Sequence, residues 1–158
     1  MVGAICNRDL LHLRPARPDD GPALHRICYP HYAPEEMERT LAASLKQAER
    51  GRGLRLVAEW EEQIAGCGQL LSWGRGAEIA DLVVVPRYRG RGIGRELVEA
   101  LLEEARRLGI PAVEIGVRPG NQRALALYQR LGFVYQRKIH LTLNKKRMAF
   151  VYLEHKAC

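Results

Sequence analysis

The sequence predicts a mixed α/β fold, with strands interleaved among helices in a single domain over residues 1–158. Three observations carry this reading. Apolar runs of strand length alternate with stretches of helical period. Short polar turns join neighbouring strand runs in the middle and at the end of the chain, as in hairpins. No linker, repeat or shift of composition divides the 158 residues, a length suited to one core.

"LLHLRPA" (Leu10 to Ala16) reads as the first strand. "RPDDGPALHRICY" follows as a helix, with Asp19 or Asp20 as N-cap and Pro22 in the first turn. Glu35 to Arg50 gives a second helix, with Met37, Leu41 and Leu45 at spacings of four and "GRG" as its stop. "LRLVAEW" (Leu54 to Trp60) and "IAGCGQLLSW" (Ile64 to Trp73) flank the turn "EEQ". "AEIADLVVV" (Ala77 to Val85) is the next strand; its continuously apolar end predicts cover on both faces, and Pro86 stops it. From Ile93 the period becomes helical: Ile93, Leu97, Leu101, Leu102, Ala105 and Leu108 share a face, and Gly109 and Pro111 end it. "AVEIGV" (Ala112 to Val117) is a strand, "QRALALYQRL" a short helix stopped at Gly132, and "FVYQRKIHLTL" and "RMAFVYL" are strands around "NKK". The predicted order is β-α-α-β-β-β-α-β-α-β-β, with a right-handed central strand–helix–strand unit.

Composition narrows the partners. Hydrophobic residues at 47% and charged residues at 27% exclude a disordered chain. No apolar run approaches the ~20 residues of a membrane span, and "MVGAICNRDL" lacks a signal-peptide apolar region. Cys6, Cys28, Cys67 and Cys158 form no C-x-x-C pair and no metal-ligand spacing. The expectation is a soluble, cytoplasmic protein with reduced thiols, no metal and no membrane partner. The net charge of +7 favours an anionic partner.

"VVVPRYRGRGIGREL" shows where such a partner would sit. A strand stops at a proline, and "RGRGIG" then opens a long helix. Glycines let the backbone approach an anion, and the first N–H groups of a helix lack intrahelical partners. Arg87, Arg89, Arg91 and Arg95 add charge, with no acid between Leu82 and Arg95. There is no Walker Lys-Ser or Lys-Thr, and "GRGIGREL" lacks the last glycine of a dinucleotide fingerprint.

"RGRGIG" (Arg89 to Gly94) resembles the [Q/R]-x-x-G-x-[G/A] acetyl-coenzyme A signature of the GNAT superfamily of N-acetyltransferases. "GNQRALALYQRLGF" (Gly120 to Phe133) resembles that family's later motif, N-x-x-A-x-x-L-Y-x-x-x-G-F, at the right distance. The resemblance is strong over Ala77 to Phe133 and rests on element order alone before that. It implies the GNAT fold: a central, mostly antiparallel sheet of about seven strands with helices on both faces. It implies acetyl-CoA as cosubstrate and a primary amine as acceptor, and it leaves a homodimer open.

By the same resemblance, the N–H groups of Gly90, Arg91, Gly92, Ile93, Gly94 and Arg95, following Arg89, would hold the pyrophosphate. The backbone of Leu82, Val83 and Val84 would pair with the pantetheine arm and offer an oxyanion donor. Asn121 and Tyr128, seven apart and so on one helical face, would contact the coenzyme arm and protonate the thiolate respectively. Glu78 matches a catalytic glutamate of some members; Asp81, Glu114, His31 and ordered water compete as the base. Ribosomal-protein alanine acetyltransferases carry a catalytic glutamate five residues before the asparagine, where this chain has Gly116. That departure argues against an N-terminal peptide acceptor, although Glu114 points to the same strand face.

Two other classes compete. One is a coenzyme A-binding sensor without catalysis, against which Asn121 and Tyr128 speak. The other is a basic RNA-binding domain, disfavoured because no aromatic–basic stripe offers a stacking platform and because 20 of the 25 basic residues are arginines spread along the chain. "CYPHYAPEE" and "TLNKKR" are expected to shape the acceptor site, with Lys145, Lys146 and Arg147 hinting at some negative charge on the acceptor.

Overall fold

The computed structural model describes residues 9–156; the thiols of Cys6 and Cys158 and the opening stretch through Arg8 lie outside them. A seven-stranded sheet runs through the molecule in the order β1-β2-β3-β4-β5-β7-β6. Its strands are β1 (Leu11–Pro15), β2 (Gly53–Trp60), β3 (Gln63–Trp73), β4 (Gly76–Val84), β5 (Ala112–Val117), β6 (Val134–Leu143) and β7 (Lys146–Lys156). All neighbours pair antiparallel except β4 and β5. The mixed sheet and the element order are those the sequence predicts, with edges shifted by a residue or so and β7 longer than expected.

Helices cover both faces. On one side α1 (Gly21–Ile27) and α2 (Pro34–Glu49) pack Leu24, Met37 and Leu41 against Val57 and Cys67. On the other, α3 (Ile93–Arg107) and α4 (Gln122–Arg130) pack on Leu56, Leu70, Ile79 and Ile115. The apolar face read from the sequence of α3 is the buried one: Leu97 and Leu101 are 0% exposed, each such leucine contributing about 1.5–3 kcal/mol.

Pro34 starts α2 in the first helical position, which its fixed φ suits. Asp20 precedes α1 without capping it, because its carboxylate is taken by Arg14 at 2.7 and 2.8 Å and by the Arg17 N–H at 2.6 Å. Those contacts, countered by burial, leave the Asp20 carboxyl below its usual range. The β2–β3 turn places Glu61 (φ 48°) and Glu62 (φ 68°) in the left-handed region, the geometry of a two-residue hairpin.

Two irregularities open the middle of the sheet. In β4 the register slips: Ala80 faces Gln69 but Val83 faces Cys67, so Asp81 and Leu82 both oppose Gly68. This is a β-bulge, with Asp81 at φ 54°. Strict alternation would aim Asp81 into the α3 face beside Ile79; the bulge turns it to the α1/α2 face. Second, β4 pairs with β5 only from Gly76↔Ala112 to Ile79↔Ile115. Beyond that the strands part, β4 staying with β3 and β5 with β7. The end of β4 is therefore not covered on both faces as its apolar run predicts: Leu82 to Val85 are half-buried. They border a gap in the sheet.

Candidate active site

On the α3 side of that gap lies a cleft of about 590 Å³ between β4, the start of α3 and α4. Its floor carries Leu82 and Val84, whose side chains the bulge sends to this face; Val83 faces the other way, into the α1/α2 core. Its wall is the loop into α3. Gly90 (φ 80°) and Gly92 (φ 81°) are both left-handed, a conformation that costs a Cβ-bearing residue about 1 kcal/mol or more. Gly92 is the N-cap of α3 and no side chain caps this helix, so the N–H groups of Ile93, Gly94 and Arg95 face the cleft uncapped. Gly94 lacks the side chain that would fill it: a Cβ there would lie 3.5 Å from Val84 and 3.7 Å from Leu127, in ordinary contact.

The arginines divide. Arg89 and Arg95 line the cleft; Arg89 donates to the Val84 carbonyl at 3.2 Å and Arg95 pairs with Glu99 at 3.2 Å. Arg87 lies over Tyr88 at 4.9 Å, and Arg91 is turned onto Trp60 and Tyr88 at 5.1 and 5.4 Å. The Arg91 side chain thus props the loop from outside. The sequence reading missed two cations on α4, Arg123 and Arg130, which also line the cleft. Their seven-residue spacing on the helix that carries Leu127 was the available signal.

Asn121 and Tyr128 both border the cleft. Asn121 is the N-cap of α4, its Oδ1 accepting from the Ala124 N–H at 3.2 Å and its backbone bonded to Arg118 and Leu125, so its side-chain amide nitrogen remains to face a ligand. Tyr128 is buried, with its ring 5.9 Å from Phe133. Burial pushes its phenol up to about 12, so it stays protonated at neutral pH. Its hydroxyl has no hydrogen-bond partner among the described residues.

The candidate bases lie on the opposite, α1/α2 face of the gap. Glu78 stands in register with Glu114 on the adjoining strand. Glu114 is held by Arg137 through two contacts of 2.7 and 3.1 Å. Glu78 forms no ion pair among the described residues; burial, then the charges of Glu114 and Asp81, raise its pKa above the usual carboxylate value. Asp81 is committed elsewhere: its carboxylate takes Gln69 at 2.5 Å and the buried Arg55 at 3.2 Å, and its carbonyl takes the Tyr29 hydroxyl at 2.5 Å. His31 is exposed, its ring edge-on to Tyr32 at 4.7 Å. Lys145, Lys146 and Arg147 are exposed at the tip of the β6–β7 hairpin. Among the described residues no group of three or more histidine, cysteine, aspartate or glutamate side chains is arranged for a metal.

An uncapped helix N-terminus, two left-handed glycines and four cations around a cleft, beside an unzipped parallel pair of strands, define an α/β protein built to receive an anionic, extended ligand. Residues 21–133 match the acetyltransferase (GNAT) family, and the chain belongs to it. It is 43% identical over 67 residues to N-alpha-acetyltransferase MAK3 of Arabidopsis thaliana, a stretch covering 42% of this chain and 35% of that protein. It is 39% identical over 57 residues to the [ribosomal protein bS18]-alanine N-acetyltransferase of Escherichia coli K12, covering 36% of this chain and 38% of that one. The matches thus span little more than a third of these relatives. The fold is similar to that of a putative acetyltransferase from Salmonella typhimurium solved with its cofactor acetyl-CoA. The two share a TM-score of 0.79 and 21% identity, covering 94% of this chain and 95% of that one. No helix among the described residues is long and apolar enough to cross a membrane.

Proposed function

We propose that residues 1–158 form one N-acetyltransferase domain that moves an acetyl group from acetyl-CoA to a primary amine. The observation that carries the reading is the cleft: Gly90 and Gly92 left-handed, the α3 N-terminus uncapped, and an open β4 edge directly beside it. The N–H groups of Ile93 to Arg95, with Arg89, Arg123 and Arg130, suit a pyrophosphate, and helix-terminal amides are ready anion donors. The unpaired edge of Leu82 to Val84 suits the amide-bearing arm, as an added strand would.

Bound acetyl-CoA supplies an activated acyl group, whose passage to an amine forms an amide and frees a thiol. The chain's own residues do the rest. A backbone N–H from the parted β4 edge is a fixed donor for the acyl oxygen. Tyr128 holds a proton at its phenolic oxygen for the departing sulfur, and the Asn121 amide orients the arm. Glu78, which forms no ion pair among the described residues, receives the proton lost by the amine. Similarity to an alanine N-terminal acetyltransferase over 57 residues extends the acceptor candidates to peptide N-termini. The test is thiol release from acetyl-CoA with a panel of primary amines and N-terminal peptides. Amine-dependent release supports transfer; release from none of them, despite binding, favours the sensor reading.

Glu78→Gln separates chemistry from stability. A carboxyl whose folded pKa is raised stabilises the fold fully below its unfolded pKa, and that contribution is lost as pH rises through the folded value. The amide mimics the neutral form. The variant is therefore expected to melt higher than wild type at pH 7.5, while kcat/KM falls about 100-fold. The acidic limb of the wild-type pH–rate profile, rising above the usual carboxylate range, should vanish. Unchanged kcat/KM would hand the base role to water.

A further inference from the structure

Tyr152 on β7 has a role that neither the motifs nor the cleft assigns. Gly116, its partner across β5 and β7, has no Cβ, and the Tyr152 ring fills that space. A Cβ at Gly116 would meet the ring at 2.9 and 3.1 Å and the phenolic oxygen at 3.2 Å. Real Cβ atoms do not approach so closely, so only glycine lets the phenol lie flat across β5. Arg137, paired with Tyr152 across β6 and β7, reaches over the ring at 4.8 Å to grip Glu114. The ring is thus clamped between a strand and a guanidinium.

The clamp aims the hydroxyl. It lies over Gly116, the first β5 residue after the pairing with β4 ends at Ile79↔Ile115. Alternation along β5 puts Val113, Ile115 and Val117 on the α3 face and Glu114 and Gly116 on the other. Tyr152 and Glu78 therefore stand on the α1/α2 side of the gap, and Tyr128 on the α3 side. Two phenols face the parted strands from opposite faces of the sheet. The Tyr152 hydroxyl has no hydrogen-bond partner among the described residues, and neighbouring Glu78 forms no ion pair there, whereas Arg137 balances Glu114 and Arg55 balances Asp81; Glu154, in register with Glu114, adds a further negative charge to this face.

We infer that Tyr152 is the acceptor-positioning residue: its phenolic oxygen accepts a hydrogen bond from the incoming primary amine and sets the nitrogen between Glu78 and the gap. This rests on the transferase reading above. A primary ammonium matches the pair, one donor for the hydroxyl and one for the carboxylate, with the proton passing to Glu78 as the amine becomes nucleophilic. Burial, and then the charge of Glu78, raise the Tyr152 pKa, so the phenol stays protonated and does not compete for that proton.

The test uses the protein saturated with coenzyme A, its tyrosine rings isotope-labelled for NMR, titrated with glycinamide as the probe amine. A saturable shift of the ring resonances that Tyr152→Phe identifies as residue 152 is expected. Their indifference to glycinamide would overturn the inference. With an amine found by thiol release, Tyr152→Phe should raise KM for the amine about tenfold, the loss of one hydrogen bond to a charged group. Its kcat and acetyl-CoA affinity should hold. Gly116→Ala, which must push the ring aside, should do the same to KM; an unchanged KM in both variants would also overturn the inference. A wild-type protein that binds no coenzyme A fails earlier and separately, at the cofactor reading itself.

Discussion

Tyr128→Phe is expected to lower kcat by about two to three orders of magnitude while acetyl-CoA affinity and thermal midpoint stay close to wild type. The reasoning starts from burial. The ring is 7% exposed and packs on Phe133, and phenylalanine preserves those contacts. The hydroxyl has no partner among the described residues, so its removal orphans no donor or acceptor. On the proposed reading, binding rests on the α3 N-terminus and the cleft arginines, which the substitution leaves in place. What disappears is the proton, held by a phenol that burial has pushed up to about 12. Single-turnover thiol release alongside calorimetric binding would read the two effects separately. A variant with normal kcat would show that the thiolate leaves without help from α4.

Arg55→Met should be the most destabilising single change in the sheet, by about 3–5 kcal/mol. The Arg55 side chain is 1% exposed and lies under α1 and α2. Its Nε donates to Ser44 at 3.0 Å, and its terminal nitrogens reach Tyr29 at 3.4 Å and Asp81 at 3.2 Å. Methionine keeps much of the volume but strands the Asp81 carboxylate, a charge whose only other side-chain partners among the described residues are Gln69 and Tyr32. Because Asp81 forms the bulge that parts β4 from its regular course, the loss should also weaken acetyl-CoA binding. Thermal denaturation should fall by roughly 10 °C, with Arg106→Ala, which breaks an exposed pair on α3, as the control that leaves the midpoint in place. An Arg55→Met protein as stable as that control would mean the network does not hold the bulge.

The parts of the site that are local in sequence were legible in it. "RGRGIG" encodes its own turn, because left-handed positions demand glycine, and α4 reads from its cap to Gly132 by helical period. The bulge was not. Alternation along "AEIADLVVV" gives no sign that Asp81 turns over, because the cause is Arg55, 26 residues away in sequence and itself placed as an ordinary strand residue. The same run misled on burial: the parting of β4 and β5 depends on pairing between strands that no local pattern encodes. Tyr152 was invisible for a related reason. Gly116 stood out as a departure from a motif, but the ring that fills its place comes from a strand 36 residues later. The sequence suggests that the Arg91 side chain adds charge to the cradle beside its backbone N–H, but the aromatic surface of Trp60 and Tyr88 claims that side chain.

The most direct test of the central claim is calorimetric titration of acetyl-CoA into the wild-type protein and into Gly94→Leu. Leucine is a better helix former than glycine, by about 0.8–1 kcal/mol, and ordinary contact distances to Val84 and Leu127 leave room for its Cβ, so the variant should fold. Its side chain would occupy the cleft in front of the α3 N-terminus. The expected result is micromolar binding to the wild type, weakening with salt, and none to the variant. No binding to the wild type at low salt, or equal binding to both proteins, would contradict the placement of the cofactor in this cleft.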